Sequence, residues 1–398
     1  MDNPSNPVIN DRSFGQSKSK VIQQGVAYMK GMQDNGIMAT AKHFPGHGDV
    51  NVDSHFDLPV INKSRAALDT LELEPFKALI NAGIESIMVA HLSVPAIDDR
   101  PKYATSISPK AVNGLLKKEL GFKGISVTDA MDMKAIANYF PQGEANVQAL
   151  LAGNDMLCLP GEVGQSIDKV REAVKERRIK RSEINTRVKK ILVAKYKYGL
   201  DVSKQIDTTN IIADLNQSVG IINAAMAQQS LTFLRATNSP ILNNKTAYLA
   251  FNAKSATSFT TSIASAYGVK VFYTSGKDAT ELALINDSLK AYNQVLVGLH
   301  GYSRRPANHF EIPAATLQFL NEKGHEDWIH LIFGNPYAVV DFNTINNILF
   351  AFEDTKHSHA AVQKWLEGKL QAGGTLPVTI SPELQYGMSS EAALKKKF

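Results

Sequence analysis

Short runs rich in Val, Ile and Met alternate with amphipathic helical patterns through the first half of the chain, at residues 37–41, 86–90, 124–128 and 155–159. Apolar runs of that length need cover on both faces, and helices between them supply it, which is the pattern of a parallel sheet or barrel. The helix ends are legible. Ser64 caps a run carrying Leu68, Leu71, Phe76, Leu79 and Ile80 that stops at Gly83. Ser108 caps another, with Pro109 at its first position and Val112, Leu115, Leu116 and Leu120 on one face before Gly121.

Residues 167–200 read as helical and basic, with Arg177, Arg178, Lys180 and Arg181 at a break before a cap at Ser182. A charge run of this kind is a solvated helix face. Residues 201–216 lose periodicity and read as a linker. A second βα series follows, with strands expected at 246–251, 270–274, 294–299, 328–333 and 347–352. This predicts a separate, doubly wound α/β domain. Neither a G-x-G-x-x-G nor a G-x-x-x-x-G-K-[ST] motif occurs, so nucleotide binding has no support.

Composition narrows the function classes. The 398 residues are 44% hydrophobic and 20% charged, enough apolar material for two cores, which excludes a disordered or fibrous chain. Subtracting 38 acidic from 43 basic residues leaves +5, too dilute to argue for nucleic acid or an anionic membrane as partner. Cys158 is the single cysteine, so no intrachain disulfide can form, and its apolar neighbours predict core packing. No run approaches the roughly 18 to 20 apolar residues of a membrane span, and the first residues lack the regions of a signal peptide.

Reactive side chains are densest in Lys42-His43-Phe44-Pro45-Gly46-His47-Gly48-Asp49, followed by Asp53-Ser54-His55. The segment begins where a predicted strand ends, and the C-terminal ends of barrel strands are where such enzymes keep their sites. Thr128-Asp129-Ala130-Met131-Asp132 lies at a second strand end, and His91 at a third with less around it. Taken singly, Asp53 and His55 read equally as an exposed loop pair and Asp129 as a helix cap. Metal is a sharper rival, because His43, His47, Asp49, Asp53 and His55 are all possible ligands. Pro45 and Gly46, however, keep His43 and His47 off one helix face, and neither H-E-x-x-H nor G-x-S-x-G occurs.

Together, the run from Lys42 to His55 with Phe56-Asp57-Leu58-Pro59, the downstream Val127-Thr128-Asp129-Ala130-Met131-Asp132-Met133 and the upstream Asn6-Pro7-Val8-Ile9-Asn10-Asp11-Arg12-Ser13-Phe14-Gly15 resemble the bacterial β-N-acetylglucosaminidases of glycoside hydrolase family 3. Phe333-Gly334-Asn335-Pro336-Tyr337 and Gly373-Gly374-Thr375-Leu376-Pro377-Val378 resemble that family's C-terminal α/β sandwich. The resemblance implies a retaining hydrolase, without cofactor or metal, that removes terminal β-linked N-acetylglucosamine from muropeptides or chitooligosaccharides. Asp129 matches the nucleophile. His55 matches the acid/base, Asp53 the residue that orients it, and Arg12, Lys42 and His43 the residues that hold sugar hydroxyls.

The chemistry agrees with the match. Retention needs an ionised carboxylate on one side of the anomeric carbon and a proton donor on the other. An imidazole can give a proton and take it back near neutrality, and an adjacent carboxylate fixes its tautomer.

The family barrel has several βα units ahead of the position matching Asn3, including an aspartate that binds the sugar's distal hydroxyls. The expectation is therefore a TIM-type (β/α) barrel lacking its first strands over residues 1–203, a linker over 204–216 and a sandwich over 217–398. Its natural start would lie upstream, and the compartment, cytoplasm or cell envelope, stays open. Unpaired strand edges would make the chain weakly active and prone to self-association. The rival readings are a non-catalytic homologue that binds glycans or partners, and a β-glucosidase of the same family, against which the Asp53-Ser54-His55 loop speaks.

Overall fold

A computed structural model describes residues 3–50, 57–140, 143–203, 205–234, 242–253, 255–323, 327–342 and 347–389. The chain divides into two compact units, Met1–Ile206 and Asp207–Phe398. The first holds a four-stranded sheet of β1 (Thr40–Phe44), β2 (Ser86–Val89), β3 (Ile125–Ala130) and β4 (Met156–Cys158), in that order and all parallel. Ile87, Val89 and Phe44 are fully buried in one cluster with Leu68, Leu73 and Leu116 from the covering helices. This is the α/β, parallel-sheet architecture that the alternating pattern predicts.

Two ladders slip. Between the pairs Ala41↔Ile87 and Phe44↔Val89, β1 advances three residues while β2 advances two. Between Val127↔Met156 and Ala130↔Cys158, β3 does the same against β4. Each slip inserts one extra residue near a strand's C-terminal end, the arrangement of a β-bulge, which bends a strand and redirects its side chains.

Several local expectations shift. The first strand begins at Thr40 and not at Ile37, because the Ile37 amide bonds back to the Met32 carbonyl at 3.0 Å, closing the helix Lys18–Gln33 and leaving Ile37 56% exposed. Ser64 caps its helix as expected, accepting from the Ala67 amide at 3.2 Å. The helix it starts is nevertheless split, into Arg65–Thr70 and Leu73–Asn81. At the break, buried Glu72 takes an ion pair from Lys63 at 2.5 Å, and its Cβ lies where a Cβ on Gly46 would come within 2.8 Å. The sequence period does not register so local a detour. The helix after Ser108 is π-type, Lys110–Glu119. The later basic helix starts at Arg181, one residue before the expected cap at Ser182. Part of the stretch read as linker is helical, Ile211–Asn216.

The second unit holds a six-stranded sheet in the order β5 (Thr232–Leu234), β10 (Asn347–Phe350), β9 (Ile329–Ile332), β8 (Gln294–Leu299), β6 (Thr246–Phe251), β7 (Lys270–Thr274), parallel except for β5. Leu249, Phe251, Val295 and Val297 face one core while Tyr248, Ala250 and Leu296 face another, so helices cover both sides. β5 lies outside the five strands that the sequence predicts for this half.

His330 sits fully buried in β9, its Nδ1 3.4 Å from the Asn347 carbonyl, and burial pushes the imidazole down to about 4. The unfolded chain takes up a proton here near 6.5, and the folded chain does so only near 4. Between those values the unfolded state holds more protons, so stability falls as pH falls, by up to about 1.4 kcal/mol per pH unit from this group. Urea unfolding of the second unit through this window should show that slope. It should flatten in His330→Leu, and an unchanged slope would assign the acid sensitivity elsewhere.

Candidate active site

The polar end of the first sheet is built on its two slips. At the β1 slip stand Lys42 and His43; at the β3 slip stand Thr128 and Asp129. Phe44 anchors the first against the core, fully buried and edge-on to Phe76 at 5.3 Å. The chain then turns through cis bonds at Lys42–His43 and Phe44–Pro45 to Gly46, whose φ of +135° and contact with Glu72 both exclude a side chain. Asn6 ties this loop to the N-terminal segment. Its Nδ2 donates to the His47 and Gly48 carbonyls at 2.8 and 3.0 Å, and its Oδ1 accepts from the Val8 and Ile9 amides at 2.9 Å. Arg12, on the turn Asn10–Arg12, donates to the Val8 carbonyl at 3.1 Å, so the same asparagine indirectly positions the arginine.

Arg12, Lys42 and His43 line one cleft together with His47, Phe14 and Tyr28. His43 is buried, which pushes its imidazole down to about 3; the Asp129 carboxylate pulls it up, while His47, Lys42 and Arg12 push it further down. These charges therefore act on one ring, which is neutral at any ordinary pH. A neutral imidazole both donates and accepts, as a sugar hydroxyl does. Asp129 is half-buried and accepts from the Ala130 amide at 2.9 Å. Asp53 and His55 lie outside the described residues.

His91 does more here than its sequence neighbourhood suggested. It is completely buried, with Nε2 2.9 Å from the Ala130 carbonyl and Nδ1 2.7 Å from Ser106 Oγ. A carbonyl can only accept, so Nε2 carries the proton and Nδ1 accepts from the serine. Burial also pushes this imidazole down, keeping it neutral. His91 thereby pins the backbone next to Asp129. A single histidine after an apolar run gives no sequence signal of that role, and neither do Asn6, Lys63 and Glu72, which frame the first loop.

The family model described as "Glycosyl hydrolase family 3 N terminal domain" matches residues 1–194. Beta-hexosaminidase A of Pseudoalteromonas piscicida is 37% identical over 171 residues, covering 40% of this chain and 28% of that protein. The beta-N-acetylglucosaminidase/beta-glucosidase of Cellulomonas fimi is 30% identical over 203 residues, covering 49% and 36% respectively. The chain thus spans well under two thirds of these relatives. Among solved structures, the glycoside hydrolase family 3 beta-N-acetylglucosaminidase from Paenibacillus sp. str. FPU-7 superposes with a TM-score of 0.79 at 27% identity, covering 95% of this chain and 74% of that one.

Proposed function

Residues 1–194 belong to the glycosyl hydrolase family 3 N-terminal domains, and from that premise we propose that the chain is a retaining β-N-acetylglucosaminidase. Its substrate is a terminal, non-reducing β-linked N-acetylglucosamine, as released in peptidoglycan turnover. On this reading residues 1–203 are the family's catalytic-type domain, 204–216 a linker and 217–398 its C-terminal-type sandwich.

The observation that carries the reading is that Arg12, Lys42, His43 and His47 line one cleft at the end of a parallel sheet where the slip in β3 also presents Asp129. In the first step a carboxylate oxygen of Asp129 attacks the anomeric carbon as the bond to the leaving oxygen breaks, and protonated His55 gives that oxygen its proton. In the second, neutral His55 takes a proton from water, whose oxygen displaces Asp129 and regenerates the carboxylate. Asp53 orients His55. Lys42 and Arg12 donate to sugar hydroxyls, while His43 contributes a donor and an acceptor at once. No cofactor enters either step.

The test is hydrolysis of an aryl β-N-acetylglucosaminide followed by proton NMR, where the β-anomer of the free sugar should appear first. An α-anomer first, or no release of sugar, overturns the proposal.

The sheet also supports self-association. β1 and β4 each pair on one side only among the described residues, leaving backbone donors and acceptors open to a second copy. Sedimentation velocity over about a hundredfold range of concentration should show a rising mass. A constant monomer mass would remove self-association from the proposal.

A further inference from the structure

Away from the first unit's cleft, one cluster of ligating side chains stands out. His300 directly follows β8, Asp354 lies just beyond β10, and His359 is in the opening turns of the helix Lys356–Leu366. The two strands flank β9, so all three residues gather at the C-terminal edge of a parallel sheet. Open α/β sheets bind their ligands at that edge. The ligating atoms of the three side chains all lie within 4.8 Å of one another.

His300 is held more firmly than a surface ion pair would require. Its ring stacks on Phe333 at 4.5 Å and 12°, and its Nε2 lies 2.6 Å from the hydroxyl of fully buried Tyr248. A Cβ at position 298 would fall 1.8 Å from that hydroxyl and 2.8 Å from His300 Nε2, so Gly298 is what allows the pair to form. With Nε2 committed to Tyr248, His300 presents Nδ1 to Asp354. Both carboxylate oxygens stand 3.2 Å from it. The Gly301 amide fixes the carboxylate, donating to Oδ2 at 2.9 Å, and His359 Nε2 meets Oδ1 at 2.6 Å.

Equal distances of 3.2 Å to two oxygens make a long, divided hydrogen bond. They suit a metal site better. A tetrahedral zinc ion with bonds of about 2.0–2.1 Å keeps its ligand atoms roughly 3.3 Å apart. We propose that His300 Nδ1, an oxygen of Asp354 and His359 Nε2 bind a zinc ion, with water as the fourth ligand. The His359 to Asp354 separation, 2.6 Å, has to widen by roughly 0.7 Å, and the two imidazole nitrogens, which lie within 4.8 Å of each other, have to settle at the same spacing. Both side chains are partly open to solvent, at 12% and 28%, which provides the entry path and room for the water. The Tyr248 hydroxyl then accepts from the His300 Nε2–H. Such outer partners orient a metal-bound imidazole and fix its tautomer. The bound ion would clip the loop after β8 to the loop after β10.

The test is calorimetric titration of the chelator-treated, desalted full chain with zinc alone. The parent should bind one more equivalent than His359→Gln or Asp354→Asn, whatever binds elsewhere. Tyr248→Phe should keep the equivalent but weaken it about 10- to 100-fold. Zinc should also raise the melting temperature of the parent and of Tyr248→Phe. If one variant fails to fold, the other two still decide the matter. The same stoichiometry and affinity in parent, His359→Gln and Asp354→Asn, or no binding to the parent, overturns the site.

Discussion

Asp129→Ala is expected to lower turnover by roughly 10⁴-fold or more relative to the parent chain, because without the carboxylate no glycosyl-enzyme can form. The fold should survive. Asp129 is half-buried, and its described hydrogen bond comes from the adjacent Ala130 amide, so its removal should cost about 1 kcal/mol or less. His91 continues to hold the neighbouring carbonyl in the variant. A second measurement separates loss of the nucleophile from distortion. With an activated aryl substrate, azide can enter the space the carboxylate leaves, and the product should be the α-glycosyl azide. Retention of more than about a tenth of the parent activity would reassign the nucleophile, with Asp132 the nearest alternative.

His55→Ala should show an effect that depends on the leaving group. An acid matters only where the departing oxygen is too basic to leave unaided. Dinitrophenolate leaves without help, so the first step on a dinitrophenyl glycoside should be nearly normal. The same step on a disaccharide should fall by about 10²- to 10⁴-fold. Deglycosylation slows for both, because the same imidazole then acts as base, and a burst of dinitrophenolate should precede a slow steady state. Equal losses in the first step for both substrates would make His55 structural. Asp53→Asn should reproduce the pattern more weakly, since it disturbs the orientation of the acid without removing it.

Much of this was legible in the sequence, and the exceptions have physical causes. β6 and β8 fall where the apolar runs put them, because strands buried on both faces are written as unbroken hydrophobic segments, and β7, at the sheet edge and only partly buried, is still marked by its β-branched and aromatic residues. The same rule misplaced β1. Ile37 and Met38 are apolar enough to join the strand, yet the Ile37 amide is taken by the end of the preceding helix. At the helix break Glu72 packs against Gly46, a residue far from it in the chain, a contact that no local period can report. At the polar end of the first sheet, Lys42, His43 and Asp129 are legible as polar groups at the ends of apolar runs. His91 was nearly invisible, because its partners Ser106 and Ala130 meet it only in the folded state. His300, Asp354 and His359 carry no sequence signal as a group. Their spacing matches no motif, and the sheet order alone brings them together.

The extra residues in β1 and β3 reset the phase of each strand just ahead of its polar end. In an unbroken pleat side chains alternate strictly, so a deletion of one residue exchanges the two faces for everything that follows. Here that exchange is already written into the chain, and the polar groups stand where the phase changes: Lys42 and His43 between the paired Ala41 and Phe44, Thr128 and Asp129 between the paired Val127 and Ala130. Substitution and deletion should therefore have very different consequences at these points. A changed side chain alters one group in the cleft. Removing a single residue between Ala41 and Phe44 would restore a regular ladder and turn either the anchoring phenylalanine or the charged pair the wrong way. Among related sequences, length at these two points should accordingly be more tightly kept than the identity of any one residue within them.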